Sequence, residues 1–372
     1  MIQVYGRFDG NWSHSVVSRG MVYGLFKNKL DMQLFNVQSG GSYTGFGSLP
    51  GQYKVVCQSG LNPGTPVGFY IGGYPPFAPQ WMTDHPFKIA LFITESEKVP
   101  PEWVFVANQY DLIVVPSDWA ARAYAQAGIE RKKILIVGHG LNPVFCCSNP
   151  QQRIRATKKL RFLHVAGAAD FLDRKGTPRL IKVFQEIFKP GEAELVLRVI
   201  PHKKLLLLLE DTNPELIKVS PSKVAFDPWQ MRQFLWTGGW AAVIQPSRAE
   251  AFGIVPVEAR ALGIPVICTH CSGHADHAEP TDVVVQAGPS AHIEVNGIPF
   301  GLAPTVNRPA ISTAINDFLN RKNEIEQAAI ELAANNYTNK YLWPTLCKPL
   351  AKILSTQHKQ AGGKKIIDRL FG

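Results

Sequence analysis

Residues 246–258 read "PSRAEAFGIVPVE". A strand is expected to end at Ser247, a loop to carry Glu250 and Gly253, and a helix to start near Ile254. Pro256 is tolerated in the first turn, where its missing N–H costs nothing. Glu258 then sits about one turn inside the helix. A helix N-terminus offers unpaired N–H groups and a partial positive charge, so anions dock there. Gly253, lacking a side chain, lets a ligand approach the backbone closely.

Two carboxylates beside a phosphate site would repel phosphate, but they suit sugar hydroxyls. The stretch therefore fits a molecule with phosphates in its middle and hydroxylated sugars at both ends, which describes a nucleotide sugar.

Working outward, short apolar runs alternate with helix-period stretches. "IQVY", "MQLFNV", "FKIALFI", "DLIVVPS" and "KKILIVG" read as strands. "SHSVVSRGMVYGLFKN" reads as a helix with Ser13 as N-cap, and "SDWAARAYAQAG" as a helix closed by Gly128. After the polar break "CSNPQQRIRATKK" the alternation restarts with "RFLHVAG", "TPRLIKVFQEIF", "AELVLRVI", "AAVIQPS" and "GIPVICT". Strands alternating with helices predict parallel sheets. The chain has 372 residues, more than the roughly 250–300 that one core usually supports. Two α/β Rossmann-like domains facing across a cleft are expected. Residues 1–155 would form one domain and 156–340 the other. The segment 341–372 would pack back on the first.

Glu250 and Glu258 form a Glu-x7-Glu pattern with Phe252 and Gly253 inside it and "ALGIPVI" after it. This resembles the retaining glycosyltransferases of family 4, which have the GT-B fold. "FLHVAGAADFLDRKGTPRLIKVF" resembles the strand, loop and helix that carry that family's phosphate-binding Lys. "YDLIVVPSDWAARAYAQAGI" with "KILIVGHGLNPVF" resembles the last strands of its N-terminal domain, and "GRFDGNWSHSVVSRGMVYGL" its first Gly-rich turn and helix. The likeness covers most of 1–20 and 90–290.

The resemblance implies a sugar transfer from a nucleotide-diphosphate sugar to an acceptor hydroxyl. It casts 1–155 as the acceptor-side domain and 156–340 as the nucleotide-sugar-binding domain. Glu250 would lie beside the transferred sugar. Lys175, helped by Arg174, would neutralise the leaving diphosphate. Phe252, Gly253 and Ile254 would offer backbone N–H groups. Glu258 would accept from ribose hydroxyls, Ser272 and Gly273 would form a turn near the phosphates, and Gly10 would approach the donor from the first domain. Glu95 and Glu97 are acceptor-side candidates. The chain has no Asp-x-Asp motif for a metal-bound diphosphate, and the resemblance implies an enzyme that needs no metal cofactor. One departure is "AGAAD", where Ala168 and Ala169 stand in place of an Arg that the family often carries.

"ICTHCSGHADH", residues 267–277, poses a separate question. Cys268-x2-Cys271 and His274-x2-His277 supply four nominal zinc ligands, yet structural zinc needs four ligands placed to wrap one ion. The alternative is that Cys268 simply ends a buried strand, with His274 or His277 facing the donor.

The net charge is +10. Residues 340–372 hold 7 Lys and Arg against 1 acidic residue. That tail is either a solvated extension or a contact for an anionic surface, nucleic acid or lipid. The acceptor implied by the resemblance is a glycan or glycoconjugate. The basic tail keeps hydroxymethylated bases in DNA open as an alternative, and a non-catalytic nucleotide-sugar-binding protein is a third reading. No apolar run approaches the roughly 18 residues of a membrane span. No secretory leader is apparent, and a cytoplasmic protein is expected.

Overall fold

The computed structural model describes residues 2–10, 13–37, 55–57, 66–78, 85–147, 149–155, 159–168, 173–200, 203–220, 226–295, 298–335 and 337–359. Two compact units divide the chain. One holds residues through Asn142 together with those from Lys340 onward, and the other spans Pro143–Asn339.

The first unit contains β1 (Ile2–Gly6), α1 (Ser13–Lys27), β2 (Met32–Asn36), β3 (Val55–Cys57), β4 (Val67–Ile71), β5 (Phe87–Leu91), α2 (Pro101–Asn108), β6 (Leu112–Val115), α3 (Asp118–Gln126) and β7 (Ile134–Ile136). Its strands pair in parallel in the order β3-β2-β1-β4-β5-β6-β7. β1, β4 and β6 are buried along their whole length, as sheets covered on both faces require. Ser117 caps α3 by accepting from Ala120 N at 3.2 Å. Ser13 is the first residue of α1 rather than a cap before it.

The second unit contains β8 (Leu160–Ala168), α4 (Thr177–Ile187), β9 (Ala193–Ile200), α5 (Lys203–Leu209), β10 (Ile217–Val219), α6 (Pro228–Thr237), β11 (Ala242–Gln245), α7 (Ile254–Ala261), β12 (Val266–Thr269), β13 (Val283–Val285), β14 (Gly288–Val295), β15 (Ile298–Thr305), α8 (Arg308–Asn320) and α9 (Lys322–Ala334). Its parallel sheet runs β10-β9-β8-β11-β12-β13, and β14 and β15 form a separate antiparallel hairpin. Phe162, Phe184, Leu195, Ile244, Ile315 and Phe318 lie in its core. Of the aliphatic run in α5, Leu205 is buried while Leu206 and Leu207 are exposed.

α10 (Tyr337–Tyr341) spans the division, and α11 (Trp343–Leu346) and α12 (Lys348–Lys359) follow. The spacing of Leu342, Leu346, Leu350 and Leu354 suggests one helical face, with Pro344 in its first turn and a kink at Pro349. The chain breaks fully before Pro349, which lies in the first turn of α12 as Pro344 lies in that of α11. Leu350 and Leu354 are buried, and α12 packs on α1 and β4. Trp343 fills the space left by three glycines: a Cβ on Gly20, Gly24 or Gly140 would come within 2.1–2.7 Å of it.

The division at Asn142 and Pro143 falls upstream of the boundary expected near residue 155. The intervening polar segment belongs to the second unit because it is tied to that unit by hydrogen bonding and packing. Arg153 Nη1 donates to Trp240 O at 2.9 Å, and Pro150 packs against Gly263.

Both sheets reverse their strand order at one point, between β1 and β4 and between β8 and β11. Ligands of open parallel sheets bind beyond the carboxyl ends of the strands at such a reversal. In the second unit that place is occupied by the loops 173–176 and 246–253.

Candidate active site

The loop leading into α4 carries Arg174 and Lys175, and the loop leading into α7 carries Glu250. Lys175 Nζ lies 2.5 Å from Glu250 Oε1, and Arg174 Nη1 lies 3.4 Å from Glu250 Oε2. Arg174 also donates to the Ala249 carbonyl. Glu250 and Arg174 are buried, whereas Lys175 keeps more contact with solvent. Burial would push the Glu250 carboxyl up. Lys175 and Arg174 override it and hold the group well below the usual carboxylate range.

Two glycines let these loops approach. Gly176 has φ 77°, and a Cβ there would lie 2.4 Å from Pro246 O. Gly253 has φ 81° and caps α7 by backbone alone, with no side-chain cap. The first N–H groups of α7 are thus not bonded by a capping side chain. Phe252 is buried, its ring 4.9 Å from that of His277. Glu258 lies in the second turn of α7, half-buried, and burial pushes its carboxyl up to about 8.

Ser272 and Gly273 brace the Glu250 loop from below. Ser272 Oγ accepts from Glu250 N at 3.0 Å, and Gly273 N donates to Glu250 O at 2.9 Å. A side chain on Gly273 would meet the Glu250 and Ala251 backbone at 2.6 Å. The structure therefore brings Arg174, Lys175, Glu250, Phe252, Gly253, Ile254, Glu258, Ser272 and Gly273 into one unit, on loops and a helix start at one sheet reversal.

Gly10, Glu95 and Glu97 belong to the first unit. Gly10 has φ 68°, and its carbonyl accepts from Arg19 Nη1 at 2.6 Å. Glu95 Oε2 accepts from Tyr74 OH at 2.9 Å. Ala168 ends β8, and Ala169 lies outside the described residues.

The "ICTHCSGHADH" segment spends its side chains on hydrogen bonds. His274 Nδ1 lies 3.3 Å from Thr269 Oγ1, His277 Nε2 donates to Phe252 O at 2.8 Å, and Cys271 Sγ lies 3.7 Å from Arg248 O. These four nominal ligands do not converge. Among the described residues one group has metal-ligand spacing, namely Cys268, His270 and Asp282, with ligand atoms within 4.8 Å. That group does not suit a cation. Arg260 already holds Asp282 through Nε to Oδ1 at 2.7 Å and Nη2 to Oδ2 at 2.6 Å, and its Nη2 lies 3.9 Å from Cys268 Sγ. A guanidinium supplies the positive charge, and burial pushes the Cys268 thiol up, away from the thiolate a metal needs.

Sequence reasoning missed three supports. Arg248, buried, donates through Nη1 to Asp173 at 2.9 Å, through Nε to Pro304 O at 3.1 Å and through Nη2 to His292 O at 3.0 Å. It ties the hairpin β14–β15 to the loop that carries Lys175. His164 bridges Ile244 O and Thr177 Oγ1, each at 2.8 Å, joining β8, β11 and the start of α4. The Arg260–Asp282 pair links α7 to the segment before β13. Only Arg248, charged within "PSRAE", gave a local signal.

Residues 119–350 match the model of a family described as family 4 glycosyltransferases in conflict systems. The chain belongs to this family and is a glycosyltransferase. Similar solved structures share the GT-B architecture. Sucrose-phosphate synthase from Thermosynechococcus elongatus has a TM-score of 0.66 at 12% identity, with 96% of this chain and 99% of that one covered. WaaG, a glycosyltransferase involved in lipopolysaccharide biosynthesis, has a TM-score of 0.62 at 13% identity, covering 98% and 100%. HepE from Anabaena, in complex with UDP-glucose, has a TM-score of 0.60 at 13% identity, covering 96% and 100%. A comparison with curated protein sequences finds no match. No helix among the described residues is long and apolar enough to cross a membrane.

Proposed function

We propose that the second unit binds a nucleotide-diphosphate sugar and that the enzyme transfers its glycosyl group to an acceptor hydroxyl with retention of configuration. The observation that carries this is the convergence of Lys175, Arg174 and the N-terminus of α7 around Glu250. Two cations and a helix N-terminus form a site for a diphosphate, where charge develops as the glycosyl bond breaks. The bond between the anomeric carbon and the diphosphate oxygen breaks, a bond to the acceptor oxygen forms, and the acceptor proton leaves with the diphosphate. Glu250 faces the sugar, and Glu258 accepts from ribose hydroxyls. The complex of HepE with UDP-glucose supports a nucleotide sugar as the donor.

The reaction proceeds without a metal in this reading, because Lys175 and Arg174 supply the positive charge. The acceptor is a glycan or glycoconjugate, and the protein works in the cytoplasm. The excess of 7 cationic residues over 1 acidic in 340–372 favours, as a second reading, hydroxymethylated bases in DNA.

The test is release of nucleoside diphosphate from UDP-, GDP- and ADP-linked hexoses, with and without EDTA, in the presence of oligosaccharides or hydroxymethylated DNA. Release that depends on one acceptor and survives EDTA supports the proposal. No binding of any nucleotide sugar sinks it, and release abolished by EDTA sinks its metal-free form.

A further inference from the structure

The side chain of Thr269, at the end of β12, fixes the protonation of a neighbouring imidazole. Its hydroxyl lies 2.7 Å from Ser247 O. A carbonyl only accepts, so the hydroxyl proton is committed to that bond. The same Oγ1 lies 3.3 Å from His274 Nδ1. With its proton used, Oγ1 accepts there, and Nδ1 carries the hydrogen of the ring. His274 is 1% exposed, and burial lowers its basicity to about 4. The ring is neutral near pH 7, with Nε2 bare and able only to accept.

The position of Nε2 gives this a use. A Cβ on Gly253 would lie 2.3 Å from Nε2 and 3.4 Å from Glu250 Cγ. The nitrogen thus sits against the bare face of Gly253, at the start of α7 and next to Glu250. Among the described residues no protein group donates to it. Phosphate oxygens are acceptors and gain nothing from a second acceptor. A sugar hydroxyl donates.

We propose that His274 is a specificity-determining residue of the donor site, whose Nε2 accepts a hydrogen bond from a hydroxyl of the transferred sugar. The inference rests on the proposed donor reading and names the chemical feature that reading leaves open. The glycosyl group must carry a hydroxyl at the position facing His274 Nε2, and sugars deoxygenated there are discriminated against.

Calorimetric titration tests this with UDP, GDP and ADP and with their hexose conjugates, on wild type, His274→Phe and His274→Gln. The Phe variant is expected to bind the free diphosphate within about twofold of wild type and the nucleotide hexose about five- to tenfold more weakly, the scale of one neutral hydrogen bond. Gln, whose Oε1 offers an acceptor at similar reach, is expected to recover most of that loss. Equal weakening of diphosphate and conjugate, or no weakening of either, overturns the proposal. Deleting the hexose hydroxyls one at a time gives a second readout on wild type alone. One deletion is expected to weaken wild type as much as the Phe substitution does, with no further effect in that variant. If no deletion matters to wild type, the proposal is wrong even where the Phe variant fails to fold. If wild type binds no nucleotide hexose, the donor reading falls and this inference with it.

Discussion

Lys175 and Glu250, 75 positions apart in sequence, meet at 2.5 Å across the reversal of the second sheet. The pair joins the loop entering α4 to the loop entering α7, and Arg174 holds the second carboxylate oxygen. Lys175→Ala is expected to lower kcat by about 100-fold or more, the cost of deleting one group that stabilises developing negative charge. The melting temperature should move little, since Arg174 still pairs Glu250. Turnover within a few-fold of wild type would remove Lys175 from the mechanism.

Gly253→Ala places a methyl group 2.2 Å from His274 Cδ2 at a backbone φ of 81°. Strain at such a position costs about 1–3 kcal/mol, and the contact adds to it. Gly167 is the control, with φ 69° and nothing within 4 Å of a Cβ. Denaturant unfolding should show Gly253→Ala clearly less stable than Gly167→Ala, with nucleotide-sugar affinity lost only in the former. Equal losses would mean that backbone conformation alone matters.

Glu258 yields a pH dependence. Its carboxyl sits at about 8 in the folded chain, above the value of about 4.3 expected of an unfolded glutamate. The folded state therefore holds the proton more tightly, and stability declines as pH rises from the unfolded value toward 8. Glu258→Gln should melt higher than wild type at pH 8.5 and converge with it at pH 5. The same variant should bind nucleotide sugar more weakly, because an amide cannot ionise to the acceptor-only carboxylate that takes bonds from both ribose hydroxyls. Parallel melting curves at both pH values would contradict the burial of this carboxylate.

Asp282 and Arg260 form a pair with side-chain exposures of 1% and 2%. Asp282→Asn leaves a buried guanidinium without its counter-charge, and a loss of about 3–5 kcal/mol is expected. Thermal denaturation of wild type in EDTA should match that in buffer. A lower melting temperature in EDTA would show that a cation, not Arg260, neutralises Asp282.

Local patterns carried much of this in the sequence. The alternation of "RFLHVAG" and "TPRLIKVFQEIF" is visible because a strand and a helix each show their own period, and both loops of the site lie next to such elements. The hairpin 288–305 was not legible. Its strands contain Pro289, Pro299 and Pro304 and two shifts of register, so no clean period of two survives. Nor was the tautomer of His274 legible, since it turns on whether the Thr269 hydroxyl points to Ser247, 22 positions away. "CTHC" and "HADH" look like ligand pairs only while Arg260 and Asp282 are out of view.

Trp343 has a consequence for synthesis. The indole fills gaps at Gly20 and Gly140, and the Trp343 carbonyl and Cys347 Sγ close on Gly24, so the first unit lacks a piece of its interior until these residues have left the ribosome. The second unit, continuous from 143 to 339, is translated in full before that piece arrives. The nascent chain should therefore complete its second half first and leave the α1 side of its first unit uncovered for most of elongation.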